Sequence, residues 1–270
     1  MRDIYSSKLL KFFLYFVLFT ILAPMVILLL WTFASRWPWP SLLPEAYSLR
    51  AIKDVFAPHT KVFSTLFSSI LLSLSVAVLS AIVGTMTARA LILYEFKGKG
   101  LIDFLGIAPN LVPGTVFAMG IHVVFIRMSL ADTVLGVIIV HLIYTLPYSI
   151  GIMRDLTESI GEQMEQQAYI LGASPLKSFI YITLPLLAPG IMASISMAYI
   201  ISFSQYFITL LIGGGKVKSF SVLMVPFIAK GDRSLGSAYA LIFVISTLLV
   251  FVIIDRITKR LSYQNKGEEI

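Results

Sequence analysis

Six intervals of the chain carry no Asp, Glu, Lys or Arg and are long enough to cross a membrane as helices. A helix needs about 20 residues to cross about 30 Å of hydrocarbon, and a charge at the bilayer centre costs about 2.5–3.5 kcal/mol on insertion scales. The intervals are 12–35, 62–88, 104–126, 133–153, 178–215 and 234–254. They predict an all-α integral membrane protein with six transmembrane helices.

Composition points to the same class of protein. The chain has 21 Lys and Arg and 14 Asp and Glu, so that 13% of its residues are charged, and 58% are hydrophobic. Charged residues usually make up about a quarter of a soluble chain. The net charge of +7 does not indicate a nucleic-acid partner, because the basic residues border the apolar intervals, where lipid headgroups attract them. Since the chain has no cysteine, disulfides, thiolate metal sites and cysteine nucleophiles are excluded.

The apolar intervals also suggest how the chain is organised. We predict an N-terminal helix and outer loop over 1–62, a core of five transmembrane helices over 63–258, and a tail over 259–270. Within the interval 178–215, Pro185 and Pro189 predict that the helix begins near Leu186. The apolar stretch 219–229 is too short to cross. The first helix is expected to be retained, because its apolar run exceeds that of a signal peptide.

Basic residues and tryptophans predict the orientation of the helices. Six crossings place both termini on one side, and 12 of the 21 basic residues then lie on that side, which favours cytoplasmic termini. Trp31, Trp37 and Trp39 mark a membrane–water interface at the far end of the first helix.

Small residues recur every four positions in the second and fifth transmembrane helices. In lipid, where no hydrophobic force drives association, such rows let helix backbones approach closely. Both rows therefore predict packing seams. The rows are Ser69, Ser73, Ala77, Ala81 and Thr85, and Gly190, Ser194, Ala198 and Ser202.

The connection 154–185 is polar and has the pattern of two short helices joined by a turn. Gly172 is placed to end the first helix, and Ser174 and Pro175 favour the N-cap and first position of the second. The second helix is expected to lie at the membrane surface and to dock into a partner. Its apolar face is predicted to contain Leu176, Phe179, Ile180 and Thr183.

This connection resembles the cytoplasmic loop of the permease subunits of binding-protein-dependent ABC importers with the type I fold. The family pattern is Glu-Ala-Ala, three residues, Gly, nine residues, Ile, one residue and Leu-Pro. Gln166 and Gln167 replace the Glu and the first Ala, and Glu165 lies one position earlier. The matching residues are Ala168, Gly172, Ile182, Leu184 and Pro185. The stretches 89–91 and 94–99 look like the basic turn after the second span in the polyamine, phosphonate, thiamine and iron-type branch of the family, and 109–114 looks like the proline-broken third span of that branch.

The resemblance implies a transport subunit rather than an enzyme, in a bacterial inner membrane. An identical or homologous second permease would complete the pathway, and an extracytoplasmic substrate-binding protein would deliver a small solute. A cytoplasmic ABC ATPase dimer would carry ATP and Mg²⁺, with no cofactor or metal on this chain. The segment 174–183 would be the coupling helix that enters a groove of the ATPase. The residues expected at this contact are Gln166, Gln167, Ala168, Gly172, Ala173, Ser174, Pro175, Leu176, Phe179, Ile182, Leu184 and Pro185.

A polar cluster interrupts the fifth transmembrane helix. Such groups in a membrane face water or form hydrogen bonds between helices, so we predict a translocation pathway or gate, with interhelical bonding as the alternative. The cluster contains no acidic residue, which favours a neutral or anionic solute over a polyvalent cation. The residues predicted for the pathway are Ser202, Ser204, Gln205, Tyr206, Thr209, Pro113 and His122.

Two other classes of protein fit some of these residues. A secondary transporter or channel would need no ATPase, and an intramembrane enzyme would depend on His122 and His141. Two histidines without a carboxylate or further ligand form neither a zinc site nor a catalytic triad. The run 213–216, Gly-Gly-Gly-Lys, departs from the P-loop pattern, so ATP hydrolysis is expected on a partner chain.

Overall fold

The computed structural model describes residues 8–267, with side chains over 10–259, and this part of the chain is almost entirely helical. The predicted all-α class is confirmed. The elements are α1 (Lys8–Phe33), β1 (Ala34–Arg36), β2 (Ala46–Tyr47), α2 (Arg50–Val55), a 3₁₀ turn (Pro58–Thr60), α3 (Val62–Leu93), α4 (Lys99–Leu111), α5 (Gly114–Arg127), α6 (Val134–Ile160), α7 (Gln163–Ile170), α8 (Pro175–Ser178), a π-helical turn (Phe179–Thr183), α9 (Leu184–Ser204), α10 (Phe207–Gly213), α11 (Phe220–Ala229) and α12 (Arg233–Gly267). The tail predicted over 259–270 begins within α12, and its last three residues, 268–270, lie outside the described range.

Five helical stretches are long and apolar enough to cross a membrane on their own. The third predicted crossing is instead a pair, α4 and α5, bent by 114°. The bend falls at Val112 and Pro113, where Val112 is extended and the proline precedes α5. A residue before proline is disfavoured in helical conformation, and proline donates no backbone hydrogen bond, so the helix stops and restarts there.

The bent pair contacts α6 near the start of α4 and at the bend. Early in α4, Asp103 pairs with Arg154 near the end of α6, with 2.6 Å between Oδ1 and Nη1. At the bend, the Tyr144 hydroxyl donates to the Gly114 carbonyl at 2.8 Å, and residues 128–133 then turn directly into α6. The stretch of α6 from its start to Arg154 is about 30 Å long at 1.5 Å per residue. Taken as one crossing, the pair brings the five single helices to the predicted six.

The chain is organised as two compact units. The first comprises the described residues up to Val62 together with Leu223–Ile245, and the second comprises Phe63–Val222 and the described residues from Ser246 onward. In the first unit, β1 and β2 pair as an antiparallel hairpin directly after α1. Arg50 binds Asp232 with 2.9 Å between Nη2 and Oδ2, and so ties α2 to the residue that precedes α12.

The second unit is built on close packing of α6 against α3 and α9. All nine members of the two small-residue rows are buried, which confirms the predicted seams. A Cβ atom at Gly84 would lie 2.7 Å from the Ser149 Cβ, and the Ser80 and Ser149 hydroxyls are 2.8 Å apart. Gly190 of α9 lies against the side chains of Leu156 and Met153 of α6. Small residues thus allow the backbones of these helices to approach closely in lipid.

The prediction that the fifth crossing begins near Leu186 is wrong. α8, the π-helical turn and α9 form one continuous helix, Pro175–Ser204, with Pro185 in the first turn of α9. In a regular α-helix the proline ring would clash with the carbonyl four residues earlier. The π-helical turn widens the backbone hydrogen-bonding pattern just ahead of Pro185, so the proline is accommodated without ending the helix.

Replacing Gly84 by Ala is expected to destabilise the protein by about 1–3 kcal/mol, the usual effect of overpacking. The added methyl would lie 2.7 Å from the Ser149 Cβ and 3.1 Å from its backbone carbon, so α3 and α6 must separate. Thermal unfolding in detergent measures the effect. Gly151→Ala in α6 is the control, because nothing lies within 4 Å of its Cβ position. Equal losses in both variants would contradict the seam.

Candidate functional site

The connection 154–185 folds as the predicted helix, turn and helix, although α6 extends into it as far as Ile160. Gly172 ends the first short helix with φ of +85°, in the left-handed region that glycine tolerates. The Ala173 amide then donates to the Ala168 carbonyl at 2.9 Å, closing the end of α7. Ser174 caps α8 by accepting from the Lys177 amide. The predicted helix stop and N-cap are confirmed.

Glu165 anchors α7 to the helices beside it. Its carboxylate lies 2.7 Å from the Arg89 guanidinium near the end of α3, and it accepts hydrogen bonds from the hydroxyls of Thr183 and Tyr169. Only 11% of the Arg89 side chain and 12% of the Glu165 side chain are exposed. The guanidinium also lies over the Phe179 ring, 5.4 Å from its centroid. These contacts join α3, α7 and the π-helical turn that leads into α9.

The turn between α7 and α8 exposes three large apolar side chains. Ile170, Leu171 and Leu176 are 85%, 87% and 69% exposed, respectively. We refer to these three residues as the exposed turn face. Contiguous apolar surface of this kind marks interaction sites in folded proteins.

The other motif residues are divided between the surface and the interior. The single apolar face predicted for the second helix is not observed, because the π-helical turn changes the residue spacing: Phe179 and Thr183 pack inward, whereas Leu176 and Ile180 are exposed. Ala168 is buried, and Ala173, Ile182 and Pro185 are half-buried. The motif residues that lie at the surface are Gln166, Gln167, Gly172, Ser174, Pro175 and Leu184.

A second candidate region lies where the fifth crossing is interrupted. α9 ends at Ser204, Gln205 adopts extended backbone, and α10 begins two residues later. The interruption frees the Gln205 carbonyl, which accepts hydrogen bonds from Thr209 Oγ1 at 2.8 Å and Ser221 Oγ at 2.7 Å. The backbone group released by the break is therefore satisfied within the protein.

His141 of α6 spans this break. Its Nδ1 lies 2.9 Å from Ser202 Oγ and its Nε2 lies 2.9 Å from Thr209 Oγ1, and all three side chains are buried. The predicted pathway residues therefore separate into two groups. Ser202 and Thr209 contact His141, whereas Ser204 is exposed and Gln205 and Tyr206 are half-buried. Elsewhere in the unit, His122 of α5 is half-buried and Pro113 is exposed at the bend.

The glycine run 213–216 ends α10 at Gly213 and forms a turn over 214–216, as the sequence predicts. Asp132 holds it: the Asp132 amide donates to the Ile212 carbonyl at 2.7 Å, and its carboxylate lies 3.3 Å from Lys216 Nζ. The same carboxylate occupies the space that a side chain at Gly214 would need. Lys216 is therefore paired within the protein rather than placed to bind a phosphate.

Comparison with known proteins identifies the family. A family model described as the binding-protein-dependent transport system inner membrane component matches residues 4–263. The chain belongs to this family. The permease is 23% identical over 217 residues to a Streptomyces antibioticus protein named as a candidate ABC transporter permease, with 79% of this chain and 94% of the relative covered. It is 24% identical over 248 residues to PhnV of Salmonella typhimurium, named as a candidate 2-aminoethylphosphonate transport permease, covering 91% and 92%.

The fold of the permease is that of a solved importer. It superposes on a chain in the crystal structure of a bacterial ABC transporter involved in the import of the acidic polysaccharide alginate, with a TM-score of 0.71. The superposition covers 95% of this chain and 98% of that chain, and the two sequences are 17% identical. The protein is thus a multi-pass membrane permease subunit of a binding-protein-dependent ABC importer. The predicted family, fold class and transport function are confirmed.

Replacing His141 by Leu is expected to lower stability by about 1–3 kcal/mol, because a buried hydroxyl of Ser202 or Thr209 is left without its partner. Thermal unfolding of the purified permease measures this loss. His122→Leu is the control, since His122 is half-buried and its replacement should have little effect. A His141→Leu variant as stable as the unmodified protein would show that the ring does not support the break.

Proposed function

We propose that a separate ATPase dimer, which binds ATP and Mg²⁺, drives this permease by docking on the 166–185 segment through the exposed turn face. The observation that carries the proposal is the exposure of Ile170, Leu171 and Leu176 on a turn whose opposite side is fixed to the bundle by Glu165. Each of these apolar side chains gains about 1.5–3 kcal/mol when a partner buries it fully.

Docking at this turn allows the ATPase to control access to the pathway. The ATPase dimer closes on ATP, and in an importer with two permease subunits, identical or homologous, its closure draws the two docked loops together. The helical bundles then change between two arrangements, each open to one side of the membrane. The ATPase docks on the cytoplasmic side of the membrane, and six crossings place both termini on that side. An extracytoplasmic substrate-binding protein delivers the solute at the opposite side.

Replacing Leu171 by Asp is expected to weaken ATPase binding by about tenfold or more, because one buried apolar anchor contributes at least about 1.4 kcal/mol. Leu171 is exposed, so the variant should insert and fold normally. Co-purification of the ATPase with the tagged permease measures binding. Ser159→Asp, an exposed position before α7, is the matched control. Full co-purification of the Leu171→Asp variant would contradict docking at this face.

Ser204, Gln205 and Tyr206 are proposed to line the translocation pathway. They are the accessible members of the polar cluster, and they lie at an interruption of the kind that forms binding and gating sites in transporters. α9 and α10 carry no charged side chain, which suits a neutral or anionic small solute. The name of one similar protein, a candidate transport permease for 2-aminoethylphosphonate, supports the same class of cargo.

Replacing Ser204 by Phe is expected to reduce uptake by about tenfold or more, because a bulky ring obstructs the path, while thermal stability is unchanged at this exposed position. Uptake is measured in proteoliposomes with the ligand that co-purifies with the cognate binding protein. Ser75→Phe is the control, since Ser75 is also an exposed serine in a membrane helix. Equal uptake by the two variants would place the pathway elsewhere.

A further inference from the structure

We propose that Arg89 is a positioning residue for transport: by holding Glu165 at a buried joint, it transmits movement of the ATPase-docked turn to the transmembrane helices. The joint consists of Arg89, Glu165, Phe179 and Thr183. This inference rests on the proposed docking of an ATPase at the exposed turn face, but it concerns a different set of side chains on the opposite side of the turn.

α7 needs such a joint because it has little apolar attachment of its own. Of its eight residues, Gln163–Ile170, only Ala168 is fully buried. The carboxylate of Glu165, by contrast, contacts Arg89 from α3 and Thr183 from the π-helical turn of the fifth crossing. The polar contacts therefore provide the connection between α7 and two long helices.

The two helices at the joint are continuous into the membrane. α3 runs without interruption through Val62–Leu93, and the fifth crossing runs through Pro175–Ser204 to the break beside the proposed pathway. A displacement of Glu165 toward or away from the bundle must therefore move both helices or break a nearly buried ion pair. Because breaking such a pair leaves an uncompensated charge out of water, the helices move.

The chemistry of the joint requires arginine at position 89. One guanidinium binds the Glu165 carboxylate at 2.7 Å while its plane lies over the Phe179 ring, 5.4 Å from the centroid. A lysine ammonium cannot make both contacts, since it is a compact point charge without a planar face.

The joint also settles the role of Glu165 in this chain. The position of the family's glutamate holds Gln166, which is exposed, and the neighbouring carboxylate of Glu165 is committed to Arg89 within the same protein. The two sides of the turn therefore have different roles. The exposed turn face binds the ATPase, and the joint transmits the resulting movement to α3 and the fifth crossing. Each side can be disabled separately.

The test uses the complete importer, with permease, ATPase and binding protein in proteoliposomes. Arg89→Gln and Arg89→Lys disrupt the joint. The control is Arg154→Gln, which removes an arginine from a more exposed ion pair, the one with Asp103. We expect the Arg89 variants to retain ATPase co-purification and ATP hydrolysis, while solute transported per ATP hydrolysed falls at least about fivefold, the lower range for coupling between sites. Arg154→Gln should leave this ratio unchanged.

Thr183→Val provides a milder variant that preserves side-chain shape and removes only the hydrogen bond to Glu165. It should lower the same ratio to a smaller extent. An unchanged ratio in the Arg89 and Thr183 variants would overturn the proposal, as would loss of ATPase co-purification in them, because Arg89 would then serve docking itself. Failure of the docking proposal is recognised separately, by normal ATPase binding to the Leu171→Asp variant.

Discussion

The close approach of α6 to α3 and α9 is the interaction on which the second unit depends. Lipid offers no hydrophobic force to hold helices together, so the packing relies on backbone proximity at small residues. Gly84 lies against Ser149 of α6, and Gly190 lies against Met153. With α6 fixed in this way, its other side chains can support the irregular parts of the unit. Arg154 and Tyr144 hold the bent pair, and His141 holds the break in the fifth crossing.

Much of the regular architecture could be predicted from local sequence. The length of each interval without charged residues predicts a transmembrane helix, because the bilayer excludes charge over a fixed thickness. The rows of small residues at every fourth position predict the buried helix faces, because residues at that spacing lie on the same side of a helix. Gly172 and Ser174 give the helix end and the cap, since each acts on backbone groups within a few positions of itself.

The irregular features could not be predicted in the same way. Pro185 indicates a helix boundary locally, but the π-helical turn before it removes the conflict. The bend at Pro113 is indicated by the stretch 109–114, which resembles a proline-broken span, and not by the charge-free interval 104–126, which reports only hydrophobicity and length. The polar contacts join residues far apart in sequence: Arg89 and Glu165 are separated by 76 positions, and His141 and Thr209 by 68. The available signals were an arginine at the end of the second crossing and a glutamate in the polar connection between the fourth and fifth crossings, but periodicity within a single helix does not pair them.

The support of the break by His141 also fixes the direction of every hydrogen bond there. Thr209 uses its hydroxyl proton to bind the Gln205 carbonyl, so it can only accept from the imidazole, and the ring proton must lie on Nε2. Nδ1 is then an acceptor, and the Ser202 hydroxyl donates to it. The three hydrogen bonds thus run in one direction, and each polarises the next. They lead from Ser202 through His141 and Thr209 to the Gln205 carbonyl. A second proton on the imidazole would reverse the hydrogen bond between Nδ1 and the Ser202 hydroxyl, because that nitrogen would then donate.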